Sequence, residues 1–294
     1  MKFRAVMNDG INIKEFHNVI STFSRMQKNL IINVQPSKLI LQIESEAYDG
    51  QYLWCEIDAS LRDGFFSEYI MDGIDSEHNQ IYMTCQAASF LRALSYVRNN
   101  PVDYIKLKLI KTHMPCLAVE MSATISNDQD VLTPKIQHAI PVTVVPRSEW
   151  NQYEIPHEVE YDLSIAMPTA KSLRTLLDKK KNLAPTVTLY ATLNDELSLV
   201  VETEVVTVAS HYRNLKCVPA RKPTGHEAQH DQLTNLSEAS CRVDTKKLAA
   251  LFETINFYDM IMTANLRHEQ ALNIRFDMRQ NAFVNYILPA TNFE

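Results

Sequence analysis

One segment has the spacing of a known catalytic metal site. It is His226-Glu227-Ala228-Gln229-His230, an H-E-x-x-H run. That chemistry needs both imidazoles on one face of a helix, the glutamate as general base, and a third ligand downstream. Here the run lies between Gly225 and a polar stretch, with no apolar stripe to hold a helix. It reads as two histidines in a solvated loop, so no metal is expected. Phosphate-gripping loops need glycine so that backbone can approach the phosphate. The chain has five glycines, at positions 10, 50, 64, 73 and 225, and they compose neither G-x-G-x-x-G nor G-x-x-x-x-G-K-[ST]. No serine sits in G-x-S-x-G. The carboxylates Glu44, Glu46 and Asp49 cluster in a turn and read as solvated charge. Cys55, Cys85, Cys116, Cys217 and Cys241 are far apart and form no C-x-x-C pair, so four of them read as buried, inert thiols. No cofactor and no catalysis are expected.

Residues that can bind phosphate do recur at helical spacing. Lys14, Asn18, Ser21, Arg25 and Lys28 step by four, three, four and three, which puts them on one face. Arg92, Ser95 and Arg98 do the same further along, as do Lys171, Arg174 and Lys181. Lys246 and Lys247 form a weaker fourth group, offset by Glu253. Such faces could follow phosphates without reading sequence. They could equally be solvated helix faces. Three faces in agreement bring the two readings level.

These residues must be carried by four helices, expected over about 11–28, 86–99, 169–182 and 244–256. Each shows an apolar stripe at i, i+3, i+4 spacing, such as Phe16, Val19, Ile20 and Phe23, or Leu248, Leu251, Phe252 and Ile255. The segments carry net charges of +2, +2, +4 and 0. Against the chain total of −6, the remainder holds −14. Around the helices the text alternates with period two, as in Leu272–Met278 and Ile105–Leu109, the pattern of antiparallel sheet. Helix starts fall 75, 83 and 75 residues apart, so one strand–helix–strands unit recurs four times. The wider middle gap holds Pro146–Pro156 and reads as a connector between residues 1–145 and 159–294, spanning 146–158. Residues 219–237 read as a surface loop. No run approaches the 18 or more apolar residues needed to cross a bilayer.

A set of short segments, in one order along nearly the whole chain, resembles the Hus-type subunit of the heterotrimeric checkpoint clamp, the nine-one-one complex. They are the opening Met1–Ala5, Trp54-Cys55-Glu56, Leu91-Arg92-Ala93-Leu94, His113–Leu117, Ile140–Arg147 with Trp150, Asp195–Leu199 with Glu202–Glu204, His211-Tyr212, and Tyr286–Ala290. The resemblance implies an α+β sliding-clamp fold of the PCNA-like kind. In that fold two similar domains each carry two helices on curved antiparallel sheet, and the helices line the hole of a three-subunit ring.

By that resemblance the DNA-facing candidates are Lys14, Arg25, Lys28, Arg92, Arg98, Lys171, Arg174, Lys181, Lys246 and Lys247. Subunit edges fall at His138–Val145 and Val205–His211, with His138, Ile140, Val142, Val144, Val206, Val208 and Ser210 at the interface. Pro141 suits an edge strand, where a missing N–H is tolerated. A client groove is expected from Val145, Trp150, Tyr153, Tyr286, Pro289 and Ala290. Implied partners are two sister subunits of the Rad-nine and Rad-one types, an RFC-like loader containing the Rad-seventeen protein, double-stranded DNA, and repair and checkpoint factors, in the nucleus and with no membrane. The alternative is a homotrimeric replication processivity clamp.

Overall fold

The computed structural model describes residues 1–43, 50–62, 64–126, 131–132, 134–156, 160–219, 237–257 and 260–291. His226, Glu227 and His230, and also Glu44, Glu46 and Asp49, lie outside the described residues, as does most of the 219–237 loop. Among the described residues the expected unit recurs four times. The first is β1 (Lys2–Met7), α1 (Gly10–Met26), β2 (Asn29–Val34), β3 (Lys38–Ile43) and β4 (Tyr52–Asp58), followed by an extra strand β5 (Glu68–Asp72). The second is β6 (Ile81–Gln86), α2 (Ala87–Ala93), β7 (Tyr104–Lys111), β8 (Pro115–Ser122), the short pair β9 (Ile125–Ser126) and β10 (Val131–Leu132), β11 (Lys135–Pro141) and β12 (Thr143–Val144). The third is β13 (Leu163–Ala166), α3 (Ala170–Lys180), β14 (Thr186–Thr192), β15 (Glu196–Glu202), β16 (Thr207–Tyr212) and β17 (Cys217–Pro219). The fourth is β18 (Glu238–Asp244), α4 (Thr245–Thr254), β19 (Ile261–Arg267), β20 (Ala271–Asp277) and β21 (Ala282–Pro289).

Units interlock by exchanging their first strands. β1 joins β7, β8 and β11, while β6 joins β2, β3 and β4. In the second half β13 joins β19–β21, and β18 joins β14–β16. The result is a five-stranded sheet (β11-β8-β7-β1-β5), a four-stranded sheet (β16-β15-β14-β18) and one ten-stranded sheet (β12-β6-β2-β3-β4-β21-β20-β19-β13-β17). The ten-stranded sheet spans both halves because β4 pairs antiparallel with β21, from Ala282 opposite Ile57 to Ile287 opposite Tyr52.

Three of the four helices start at a side-chain cap, and α2, which follows Gln86, does not. Asp9 accepts from the backbone N–H of Ile11 and Asn12 at 2.8 and 3.0 Å, and Asp244 from that of Lys247 at 2.9 Å. Thr169 caps α3 in the same way. Their apolar stripes press onto the sheets, with Phe16, Val19, Ile20 and Phe23 all buried. Two expectations are corrected. The second helical segment stops at Ala93 and tightens into a 3-10 turn over Ser95–Arg98, which buries Val97. α1 ends at Met26 because Gln27 is extended, so Lys28 lies past the helix and off its face. The Pro146–Pro156 connector also contains a 3-10 segment, Arg147–Tyr153.

At the β4–β21 joint, Tyr286 is fully buried and its hydroxyl donates to the Lys247 carbonyl of α4 at 3.1 Å. Tyr286→Phe should therefore cost about 1 kcal/mol. Tyr286→Ala, which also leaves a cavity, should cost about 3 to 5 kcal/mol. Urea denaturation of both variants measures the difference.

Candidate nucleic-acid interface

α1 contacts α2 on one flank and α4 on the other, and α3 contacts α4. The four helices thus lie side by side in the order α2, α1, α4, α3. The last carbonyls of α4, orphaned as at any helix end, bind its neighbours together. Thr22 of α1 donates to the Thr254 carbonyl at 3.2 Å. Arg174 of α3 donates to the carbonyls of Phe252 and Ile255 at 2.7 and 2.6 Å.

A cleft of about 820 Å³ crosses this layer. It gathers Lys14 and Arg25 from α1, Arg92 from α2, Arg98 from the 3-10 turn and Arg174 from α3. Ser21, Ser24, Ser95 and Asn256 add neutral donors, and among the described residues Glu253 is the one carboxylate in the lining. Fixed cations and hydroxyls along an open groove can bind phosphate without selecting bases. The remaining candidates lie elsewhere. Lys171 borders a shallower cleft with Ser172, Thr175, Lys179 and Tyr212. Lys181 is clasped by Asp178 at 2.8 Å and Glu253 at 2.6 Å, which raise its ammonium pKa to about 12. Lys246, on the first turn of α4, and Lys28 are exposed outside the cleft, and Lys247 is half-buried there.

Two cleft residues depart from the simple face reading. Asn18 was expected on the solvated face, yet it is buried because α1 is flanked on both sides. Its amide nitrogen has no hydrogen-bond partner among the described residues. His17 was not singled out from the sequence, since a lone histidine at a stripe boundary carries no spacing signal. Burial pushes its pKa down, a hydrogen bond with Asn18 opposes this, and the nearby Arg98 charge adds to the lowering.

The expected strand edges fall on different sheets. β11 is the outer strand of the five-stranded sheet, and His138 is exposed on it while Ile140 is buried. After Pro141 the chain leaves this sheet. Val142 is buried in the crossing, with its N–H on the Pro115 carbonyl, and Val144 belongs to β12 at the edge of the ten-stranded sheet. The segment His138–Val145 is therefore not one edge. β16 is the outer strand of the four-stranded sheet and carries Val208 and Ser210, both half-buried, while Val206 sits in the turn before it. The opposite margin of that sheet, β18, is covered: Thr291 and Glu269 donate backbone N–H groups to the Arg242 and Ser240 carbonyls, each at 2.8 Å.

The outer face of the ten-stranded sheet brings together part of the expected groove. Trp150 donates its indole N–H to the Val145 carbonyl at 3.1 Å and stacks at 5.1 Å on Tyr82, with Tyr153 packed alongside. The Tyr153 carbonyl accepts from Gln42 at 2.7 Å. Beside this cluster runs a cleft of about 580 Å³ that includes Tyr52, Trp54 and Ile155. Tyr286 is not part of this face, because it points to the helix side. Its neighbour Ile287 faces outward instead, packed with Ile40 and Trp54. Pro289 and Ala290 are half-buried at the end of β21, where Pro289 lies against Gly50. β21 is apolar on both faces, so period two does not reveal which of Tyr286 and Ile287 points out.

Because the folded chain holds His17 below its usual value of 6.5, the unfolded chain binds more protons as pH falls through that region. Acidification should therefore destabilise the protein through His17. In His17→Gln this component is absent, so the variant should lose less stability than the parent between about pH 7.5 and about pH 5. Urea midpoints of the pair at both pH values check this.

The sequence profile of the family described as Hus1-like protein matches residues 1–292. The chain is 28% identical to the checkpoint protein Hus1-like of Drosophila melanogaster over 99% of both chains. It is also 28% identical to checkpoint protein HUS1 of Homo sapiens, again over 99% of both. Among solved structures, PCNA of Thermococcus kodakaraensis superposes with a TM-score of 0.67 at 14% identity, covering 98% of this chain and 99% of that one. PCNA of Entamoeba histolytica gives 0.68 at 12% identity, covering 99% of each. These two carry the fold, which is that of a sliding clamp. With the family profile spanning the chain almost end to end, the protein belongs to the Hus1-like family.

Proposed function

We propose that this chain is a non-catalytic subunit of a heterotrimeric checkpoint ring that encircles DNA at damage. The observation that carries the reading is the convergence of Lys14, Arg25, Arg92, Arg98 and Arg174 on one cleft of a single helix layer backed by sheet. In this reading the helices face the duplex and hold it through phosphates, independent of sequence. Residues 1–145 and 159–294 are its two clamp domains and 146–158 the connector. β11 and β16, each an outer strand of its sheet, accept edge strands of the sister subunits by strand addition. Those sisters are of the Rad-nine and Rad-one types, and an RFC-like loader containing the Rad-seventeen protein places the ring. The outer cluster around Val145, Trp150 and Tyr153, extended by Trp54 and Ile287, receives client peptides of repair and checkpoint factors. Loaded in the nucleus, the ring supports an ATR-type checkpoint kinase and acts by position, with no reaction of its own.

Native mass of the chain, alone and co-expressed with both sister types, tests assembly. A monomer alone and a one-to-one-to-one trimer together are expected. A stable homotrimer would instead make it a replication-type clamp. For the DNA face, Lys14→Glu, Arg25→Glu and Arg92→Glu should be combined in the assembled ring and its affinity for a short duplex followed by anisotropy across salt. The slope of log affinity against log salt should flatten by about 0.9 for each phosphate that the variant no longer neutralises. An unchanged slope would remove these residues from the DNA face.

A further inference from the structure

The end of α4 is the negative element of the cationic cleft. Glu253, Thr254, Ile255 and Asn256 all line it, so the last turn of the helix opens onto the groove. Backbone carbonyls at a helix C-terminus carry partial negative charge, and a carboxylate placed there adds to it. Glu253 is such a carboxylate, next to the last residue of α4 and about half exposed. Among the described residues it is the one acid in a lining that holds Lys14, Arg25, Arg92, Arg98 and Arg174. A phosphate brought into the groove would meet it as a like charge.

α3 supplies a cation for each part of this negative end. Arg174 takes the carbonyls, donating to those of Phe252 and Ile255 at 2.7 and 2.6 Å. Lys181, the C-cap of α3, takes the carboxylate, with Nζ 2.6 Å from Glu253 Oε1. Positions 174 and 181 are two helical turns apart, which puts both cations on the same face of α3.

A second acid fixes Lys181 where it is. Asp178, one turn earlier on α3, lies 2.8 Å from the same ammonium. Lys181 is thus gripped between an acid of its own helix and an acid of the next, and the two together raise its pKa to about 12. An ammonium so held stays charged, and reaching a phosphate would cost it both partners. Neither Lys181 nor Asp178 lines the cleft. Ion pairs as exposed as these add little to stability. Their larger effect is on the field of the groove, where the one acid is cancelled.

We propose that Lys181 strengthens the hold on DNA without touching it, by neutralising the Glu253 carboxylate that phosphates would otherwise meet. It acts through Glu253 and is a positioning residue, not a phosphate contact. The inference rests on the DNA-facing reading of the helix layer and adds how that layer silences its own acid.

A double-mutant cycle tests it, in the ring assembled with both sister types and read as affinity for a short duplex by anisotropy. Lys181→Gln should weaken binding about three- to tenfold, the effect of one uncompensated charge acting through a partly solvated groove. Lys181→Arg, which keeps the charge, should bind like the parent. Glu253→Gln alone should bind at least as tightly as the parent. In the Glu253→Gln background the loss from Lys181→Gln should shrink to within about twofold, the ordinary error of additivity. An equal loss in both backgrounds would put the effect on direct phosphate contact by Lys181, or on the freed Asp178, and would overturn the proposal. So would a Lys181→Gln ring that binds like the parent, because Glu253 would then need no neutralising. A loss in Lys181→Arg as large as in Lys181→Gln would overturn it as well, since charge would not be the cause. Native mass and circular dichroism show that each ring assembles and folds, and Lys181→Met takes the place of Lys181→Gln if that variant does not. The ring carrying Lys14→Glu, Arg25→Glu and Arg92→Glu separates the two levels: if it binds duplex like the parent, the DNA-facing reading itself has failed.

Discussion

The structure depends on a pairing between strands more than two hundred residues apart, β4 near the start and β21 near the end. Without it the chain would be two half-molecules, each with an exposed sheet margin and an unsatisfied row of backbone groups. With it, ten strands form one continuous wall and the helices of both halves come into a single layer. Tyr286 shows how the levels connect, since its ring is buried in the joint and its hydroxyl reaches the backbone of α4. The joint thereby sets where α4 lies. The end of α4 in turn is bound from both sides, by Thr22 and by Arg174.

The cationic groove is a consequence of that layer. An isolated helix with a basic face exposes it to water and nothing more. Here residues from three helices and a 3-10 turn are brought to one cleft, and the acid that lines it, Glu253, is occupied by Lys181. Arg174 serves two ends, because its guanidinium anchors the α4 carbonyls while bordering the groove. Lys181 shows the reverse case, a cation neutralised by its neighbours Asp178 and Glu253. A count of lysines and arginines on a helix overstates its field when acids sit one turn away.

The repeat and the four helices were legible in the sequence because stripes are local signals, and Thr169 and Asp244 cap the two helices of the second half; Asp9 also caps α1, while α2 starts without a side-chain cap. What failed was whatever depends on two faces being covered. Asn18 sits among basic residues at solvent spacing, yet neighbours on both flanks of α1 bury it. Tyr286 and Ile287 are adjacent and both apolar, and only the folded sheet sends one to the helices and the other to the outer wall. The stretch from His138 to Val145 is continuous in text but divided between two sheets, because the chain changes layer after Pro141. His17 gave no signal at all, since its position in the groove is made by α2 and the turn after it rather than by its own helix.

The β4–β21 joint also imposes an order on biosynthesis. A ribosome releases β4 early and β21 among the last strands, with 223 residues between Asp58 and Ala282. At about 5–20 residues per second, β4 therefore waits on the order of tens of seconds for its partner. During that interval its apolar margin, with Leu53, Cys55 and Ile57 on one side and Tyr52 and Trp54 on the other, is open to any strand of matching register. The nascent chain thus has a predictable period in which a chaperone, or a wrong edge, can reach it.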